Sequence, residues 1–305
     1  MNTINIACAS DNNYAQHLGV MIYSLLSNTT NTNEFKFYLA DGGINESNLS
    51  KFNEISQKFK CEFEFIKPNI EYFKNLKIYE SYGLATYFRF FLIDNINVDK
   101  VLFLDCDMIV EDDVRNLYDT ELDSNIIGAV PDILCPEKHI DLITKKSYFN
   151  AGLMLIDVAK WKQNNISEKC VRFHLECEHL VEYADQDSLN YVLQDSWKKL
   201  PLKWNVLSKT KLALYNLTST NRQIDNKNLI KDLAFNPSII HYANRLFKPW
   251  FWLDPSPYKS NYIYNLRISP WKAADFPDKS FSGILYRLRY YLSFLFRYFI
   301  RFTKK

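Results

Sequence analysis

The chain has 305 residues, 47% of them hydrophobic and only 17 of them Gly or Pro, which excludes disordered and low-complexity classes and suits one large α/β domain or two ordinary ones. A formal net charge of +2 conceals an asymmetry: from Lys279 onward there are seven Lys or Arg and no acid, leaving residues 1–278 with 30 basic against 35 acidic side chains. A mildly acidic body without a basic stripe argues against nucleic-acid binding.

Taken in chain order, residues 4–10 (INIACAS) form a short apolar run, followed by Asp11, Asn12 and Asn13 and then by Leu18, Met21, Ile22, Leu25 and Leu26 at helical spacing. This predicts strand, loop and helix. The Asp11–Asn13 loop offers a carboxylate and an amide to a base or ribose, although the commoner use of these residue types is to cap a helix. Residues 34–41 predict a second strand, 44–59 a polar amphipathic helix and 61–66 a third strand. That β-α-β-α-β order implies a parallel sheet built by right-handed crossovers, with ligands beyond the carboxyl ends of its strands. The absence of G-x-G-x-x-G and of G-x-x-x-x-G-K-[ST] after the first strand removes the main support for dinucleotide and P-loop readings.

Residues 86–94 (TYFRFFLID) predict a helix with Arg89 among aromatics, and residues 101–110 (VLFLDCDMIV) follow. Here Val101 to Leu104 are apolar on both faces, as in an inner strand, and the strand ends on Asp105 and Asp107. Residues i and i+2 of an extended chain project to one side, so the two carboxylates converge on a point where a hard divalent cation relieves their repulsion. A surface turn capped by acids uses the same residues. Residues 125–132 predict a strand ending on Asp132. Residues 148–161 (YFNAGLMLIDVAKW) are read as a turn through Asn150, Ala151 and Gly152 into an apolar run, residues 184–193 (ADQDSLNYVL) as a capped helix start, and residues 238–242 (SIIHY) as a short strand leading to His241. Texture changes near residue 254, where Pro255, Pro257 and Pro270 cluster, which suggests a body over 1–254 and a loop-rich segment over 255–305.

The series ASDNNYAQHL, TYFRFFL, VLFLDCDMIV, YFNAGLMLIDVAKW, YADQDSLN and HYANRLFKPW, in this order between Ile4 and Trp250, resembles the retaining glycosyltransferases of family 8, most closely the bacterial galactosyl- and glucosyltransferases that extend lipo-oligosaccharide or capsule glycans. The resemblance implies a GT-A fold, a mostly parallel sheet flanked by helices, with UDP-galactose or UDP-glucose as donor, a saccharide acceptor, and a divalent metal, Mn2+ or Mg2+. By motif, Asp11 and Asn13 would hold uridine, Arg89 would contact the nucleotide or diphosphate, and Lys248 would grip phosphate. Asp105, Asp107 and His241 would ligate the metal. Asp132, Asn150, Asp185 and Gln186 would surround the transferred sugar.

The chemistry of each residue type suits these roles. A nitrogen ligand beside two carboxylates tilts the choice toward Mn2+, which acts as a Lewis acid on a departing diphosphate. Gln186 is a poor nucleophile, which favours front-face attack over double displacement, with Asp185 or Asp132 as the alternative nucleophile. One departure from the family pattern is the absence of glycine between His241 and Lys248, where Asn244 or Arg245 would substitute. Two other readings compete: a haloacid-dehalogenase-like phosphatase, which also uses D-x-D but near the start of its chain, and a catalytically silent sugar-nucleotide-binding module.

Residues 281–305 predict a helix with Phe281, Ile284, Leu288, Tyr291, Leu292, Leu295, Phe299 and Phe302 on one face and Arg287, Arg297, Arg301 and Lys304 on the other. Such a helix lies in the plane of an anionic membrane. Six cysteines without a C-x-x-C pair, a start lacking the features of a signal peptide, and no window of 18 uncharged apolar residues point to a cytoplasmic protein, peripheral on the inner face of the cell membrane beside a lipid-linked acceptor.

Overall fold

The structure, a computed structural model, describes residues 3–74, 76, 83–214, 220–224, 226–243, 248–285, 288–289 and 292. Ten strands occur among them: β1 (Ile4–Asp11), β2 (Phe35–Gly42), β3 (Glu62–Ile66), β4 (Lys100–Leu104), β5 (Met108–Val110), β6 (Ile127–Pro131), β7 (Phe149–Asp157), β8 (Trp197–Lys199), β9 (Val206–Leu207) and β10 (Ile239–His241). Seven form one sheet in the order β3-β2-β1-β4-β7-β6-β8. Within it β7 runs antiparallel to both β4 and β6, and every other pairing is parallel. This is the expected GT-A-like, mostly parallel sheet. Of a second sheet, β5-β10-β9, the sequence marked the strand at 238–242 but not its pairing, since the strands are only two or three residues long.

Alternation along β4 shows how the layers form. Leu102 and Leu104 enter the core on one face with Leu18, Met21 and Leu25 of the helix Ala15–Ser27, while Val101 and Phe103 enter the core on the other face with Phe90, Ile93 and Trp161. Each such side chain contributes about 1.5–3 kcal/mol when fully buried, so neither face of this strand tolerates a polar residue until it ends. The helix Glu46–Phe59 buries only Phe52 and Ile55, consistent with its polar sequence, and Asn45 caps it by accepting the Asn48 N–H at 2.9 Å.

One expectation needs correction. The segment 150–152 is no turn: it lies within β7, where the pairing with β6 passes from Ala129↔Met154 to Val130↔Asn150 and leaves residues 151–153 bulged. Past residue 254, Tyr262 and Leu266 of the helix Lys259–Ile268, with Tyr258 before it and Trp271 after it, belong to the cluster around β1 and β2. Most of the expected helix 281–305 lies outside the described residues, as do Asn244 and Arg245. Residues 281–285, 288, 289 and 292 are helical, with Phe281, Leu285, Leu288 and Leu292 exposed. Among the described residues, no helix is long and apolar enough to cross a membrane.

Candidate active site

The D-x-D pair sits where the chain leaves the large sheet for the small one. The Asp105 N–H donates to Gly152 O at 2.9 Å, fastening the first acid to β7, and the Tyr242 N–H donates to Asp107 O at 2.9 Å. In the small sheet Met108 pairs with His241, so strand register alone delivers the imidazole to the two carboxylates. His241 Nε2 lies 3.2 Å from Asp107 Oδ1 and 3.8 Å from Asp105 Oδ2. One ligand atom from each of the three residues can be chosen so that all lie within 4.8 Å of one another.

Glycine is required at position 152 for this approach. A β-carbon there would stand 2.3 Å from His241 Cε1 and 2.8 Å from Asp105 Oδ2. Two hard carboxylates and one borderline nitrogen, held together by a residue without a side chain, fit a divalent cation of the Mn2+ or Mg2+ type.

Positive charge surrounds the acids from two sides. Lys248 donates from Nζ to Asp107 Oδ2 at 2.5 Å and to Tyr242 O at 2.8 Å. Burial opposes ionisation of Asp107, but Lys248 and His241 outweigh it and hold this carboxyl well below the usual range. For Lys248 burial likewise opposes the charge, and Asp107 overcomes it, raising the ammonium. Arg89 is buried over the Phe103 ring, donating from one terminal nitrogen to Asp105 Oδ1 at 2.8 Å, from the other to Ala151 O at 2.6 Å, and from Nε to Thr86 O at 3.3 Å. The sequence reading gave Arg89 to the nucleotide or diphosphate; its geometry shows a guanidinium engaged with protein oxygens, set between the half-buried Asp105 and the buried Asp185.

Asp185 lies 2.8 Å from Arg89 Nε, off the line of its N–H bond to Thr86. Burial pushes its carboxyl up to about 7 against the pull of Arg89. Burial also raises Asp132, partly offset by the Leu134 and Cys135 N–H groups and by the amides of Asn150 and Gln186. Asn150 donates to Gln186 Oε1 at 3.0 Å, and Gln186 Nε2 reaches Asp132 Oδ2 at 3.4 Å and Tyr148 OH at 3.3 Å. The residue before this pair, Ala184, is held at a φ of 46°, a left-handed value that an L side chain adopts only under constraint.

One cleft of about 880 Å³ gathers ten of the eleven expected site residues: Asp11, Arg89, Asp105, Asp107, Asp132, Asn150, Asp185, Gln186, His241 and Lys248. Asn13 is not among its lining residues and faces a separate cavity of about 350 Å³ with Asn12, Gln16 and Trp271. Asp11 accepts the Tyr14 N–H at 3.0 Å, the local turn that its residue type favours, and still lines the cleft. Sequence reasoning gave no site role to Tyr14, Gly152 and Trp250, which fall within its motifs, or to Ser208 in this lining and Asn205 behind it, which fall outside them.

The model of the family described as glycosyl transferase family 8 matches residues 5–253. The chain belongs to glycosyl transferase family 8. Among relatives of this family 8 enzyme, general stress protein A of Bacillus subtilis is 30% identical over 90% of this chain and 96% of its own. Lipopolysaccharide 1,2-glucosyltransferase of Escherichia coli is 26% identical over 94% of this chain and 84% of its own. Among solved structures, the galactosyltransferase LgtC in complex with donor and acceptor sugar analogs superposes with a TM-score of 0.75 and 25% identity, covering 88% of this chain and 96% of that one. The family 8 glycosyltransferase thus has the fold that its motif series implied, with the D-x-D motif at the junction of the two sheets.

Proposed function

We propose that this glycosyltransferase is a metal-dependent, retaining hexosyltransferase that moves galactose or glucose from a UDP-sugar to a saccharide acceptor in lipopolysaccharide, capsule or another surface glycan. The observation that carries the proposal is the convergence of Asp105, Asp107 and His241 Nε2 in one cleft with Lys248, Asp132, Asp185 and Gln186. The glucosyl- and galactosyltransferase relatives support a hexose donor. Asp105, Asp107 and His241 would hold a divalent cation, with nitrogen ligation favouring Mn2+. When bound, this cation supplies charge neutralisation to the departing diphosphate.

The chain's own groups do the rest. Lys248 turns from Asp107 to the donor phosphates, a compact point charge on a flexible stem. Arg89 orients Asp105 and Asp185 by occupying the space between them. Asp132, Asn150 and Asp185 position sugar hydroxyls within the cleft, and Asp11 with its loop accommodates the nucleoside. Gln186 Oε1 already accepts from Asn150 Nδ2 and from the Ala151 N–H, both at 3.0 Å, which leaves this amide oxygen a weak nucleophile. This supports acceptor attack on the face that UDP leaves, with rate derived from positioning and charge stabilisation. The exposed Phe281, Leu285, Leu288 and Leu292 support a helix that lies on an anionic membrane at the cytoplasmic face, beside a lipid-linked acceptor.

Incubation with Mn2+ and a panel of UDP-sugars, scoring UDP release, tests the reading. UDP-galactose or UDP-glucose should be consumed, and EDTA or Asp107→Asn should abolish release. Full turnover in EDTA would overturn the metal dependence, and no release from any UDP-sugar would favour a silent binding module.

A further inference from the structure

We infer that Asn205 is a positioning residue that keeps the ring proton of His241 on Nδ1 and thereby turns the Nε2 lone pair of this imidazole toward Asp105 and Asp107. Its consequence for a metal rests on the function proposed above; the assignment of the proton does not.

The argument begins with two backbone N–H groups, since a side-chain amide can be turned either way and only a donor of fixed identity settles it. Where β7 bulges away from β6, the Gly152 N–H donates to Asn150 Oδ1 at 3.1 Å and the Ala151 N–H donates to Gln186 Oε1 at 3.0 Å. Asn150 must therefore present oxygen on the Gly152 side and nitrogen toward Gln186, where it donates at 3.0 Å. With Asn150 Oδ1 fixed as an acceptor, the Asn205 atom 3.0 Å away is the donor Nδ2. The remaining end of the Asn205 amide is then its oxygen, and it stands 2.9 Å from His241 Nδ1. An amide oxygen only accepts, so Nδ1 carries the proton.

Asn150, Asn205 and His241 are all buried, at 6%, 5% and 2% exposure. The opposite tautomer would set a nitrogen lone pair against the Asn205 oxygen at 2.9 Å between buried side chains, a repulsion between two acceptors. Polarity is thus passed from the β7 backbone through Asn150 and Asn205 to His241. The chain separations are 55 and 36 residues, so the relay exists only in the folded protein. Partners of this kind orient metal-binding imidazoles and raise their basicity.

The test is the imidazole 15N spectrum of metal-free protein labelled at its five histidines, with His241→Gln identifying the resonance. Wild type should show a protonated Nδ1 at His241. Asn205→Asp gives up the donor to Asn150 Oδ1 but still accepts from Nδ1–H and should preserve that signature, whereas Asn205→Ala should shift protonation toward Nε2. In parallel, Mn2+ affinity read by electron paramagnetic resonance without a sugar donor should fall about 10- to 100-fold in Asn205→Ala and stay close to wild type in Asn205→Asp. A wild-type spectrum with a bare Nδ1 at His241 overturns the inference even if no Asn205 variant folds. So does a folded Asn205→Ala with an unchanged spectrum and unchanged Mn2+ affinity. Wild type that binds no Mn2+ would instead count against the metal reading, and the spectrum would still decide the position of the proton.

Discussion

Gly152 and His241 share a space that admits a hydrogen and nothing larger: a β-carbon on Gly152 would lie 2.3 Å from the imidazole Cε1. Gly152→Ala must therefore move the ring or bend β7, and the same methyl would press on Asp105 Oδ2 at 2.8 Å. Overpacking of this kind costs about 1–3 kcal/mol. Because the strain falls on two of the three residues proposed to hold the cation, loss of Mn2+ affinity should exceed the loss of stability. Calorimetric titration with Mn2+ beside urea denaturation measures both, and unchanged metal affinity in the variant would refute the close approach.

Lys248 and Asp107 form a nearly buried pair, 11% and 12% exposed at their side chains. Removing the cation leaves a carboxylate without its nearest counter-charge, which for a buried pair costs about 3–5 kcal/mol. Lys248→Met should lower the melting temperature of the metal-free protein. A divalent cation should then restore more stability to the variant than it adds to wild type, since binding stabilises by linkage and the variant has the unmet charge. Thermal melts with and without Mn2+ check this, and an equal rise in both proteins would show that Lys248 is no surrogate for the cation.

Asp185 sets a pH dependence whose sign follows from its environment. Its carboxyl is raised to about 7, against about 4 in the unfolded chain, so the native state holds the proton more tightly. This acid therefore opposes folding increasingly as pH rises from about 4 to about 7, by an amount on the order of a few kcal/mol. Asp185→Asn removes that slope and leaves Arg89 its bond to Asp105. The variant should gain on wild type between pH 4.5 and 7.5 in urea denaturation. A difference between the two proteins that stays constant across this range would contradict the assignment.

The sequence by itself determined whatever depends on near neighbours in the chain. An apolar run such as Val101 to Leu104 has to be covered on both faces, and residues two apart on an extended backbone point the same way, so the inner strand and the paired acids at its end were legible. Helical spacing from Leu18 to Leu26 fixed the first helix, and six motifs in order fixed the family.

Only the tertiary structure decided the partners of these groups. Asn13 belongs to the same short loop as Asp11 yet faces another cavity, because direction in a loop is set by what packs against it. Arg89 was legible as a charge among aromatics, but its commitment to Asp105 and Ala151 depends on β4 and β7 lying side by side. Gly152 was read only as part of a turn, and Asn205 carried no signal at all. One acts by lacking an atom where two sheets converge, and the other by completing a hydrogen-bond relay across a bulge. Such roles arise from strand order and register, which no local pattern of residues encodes.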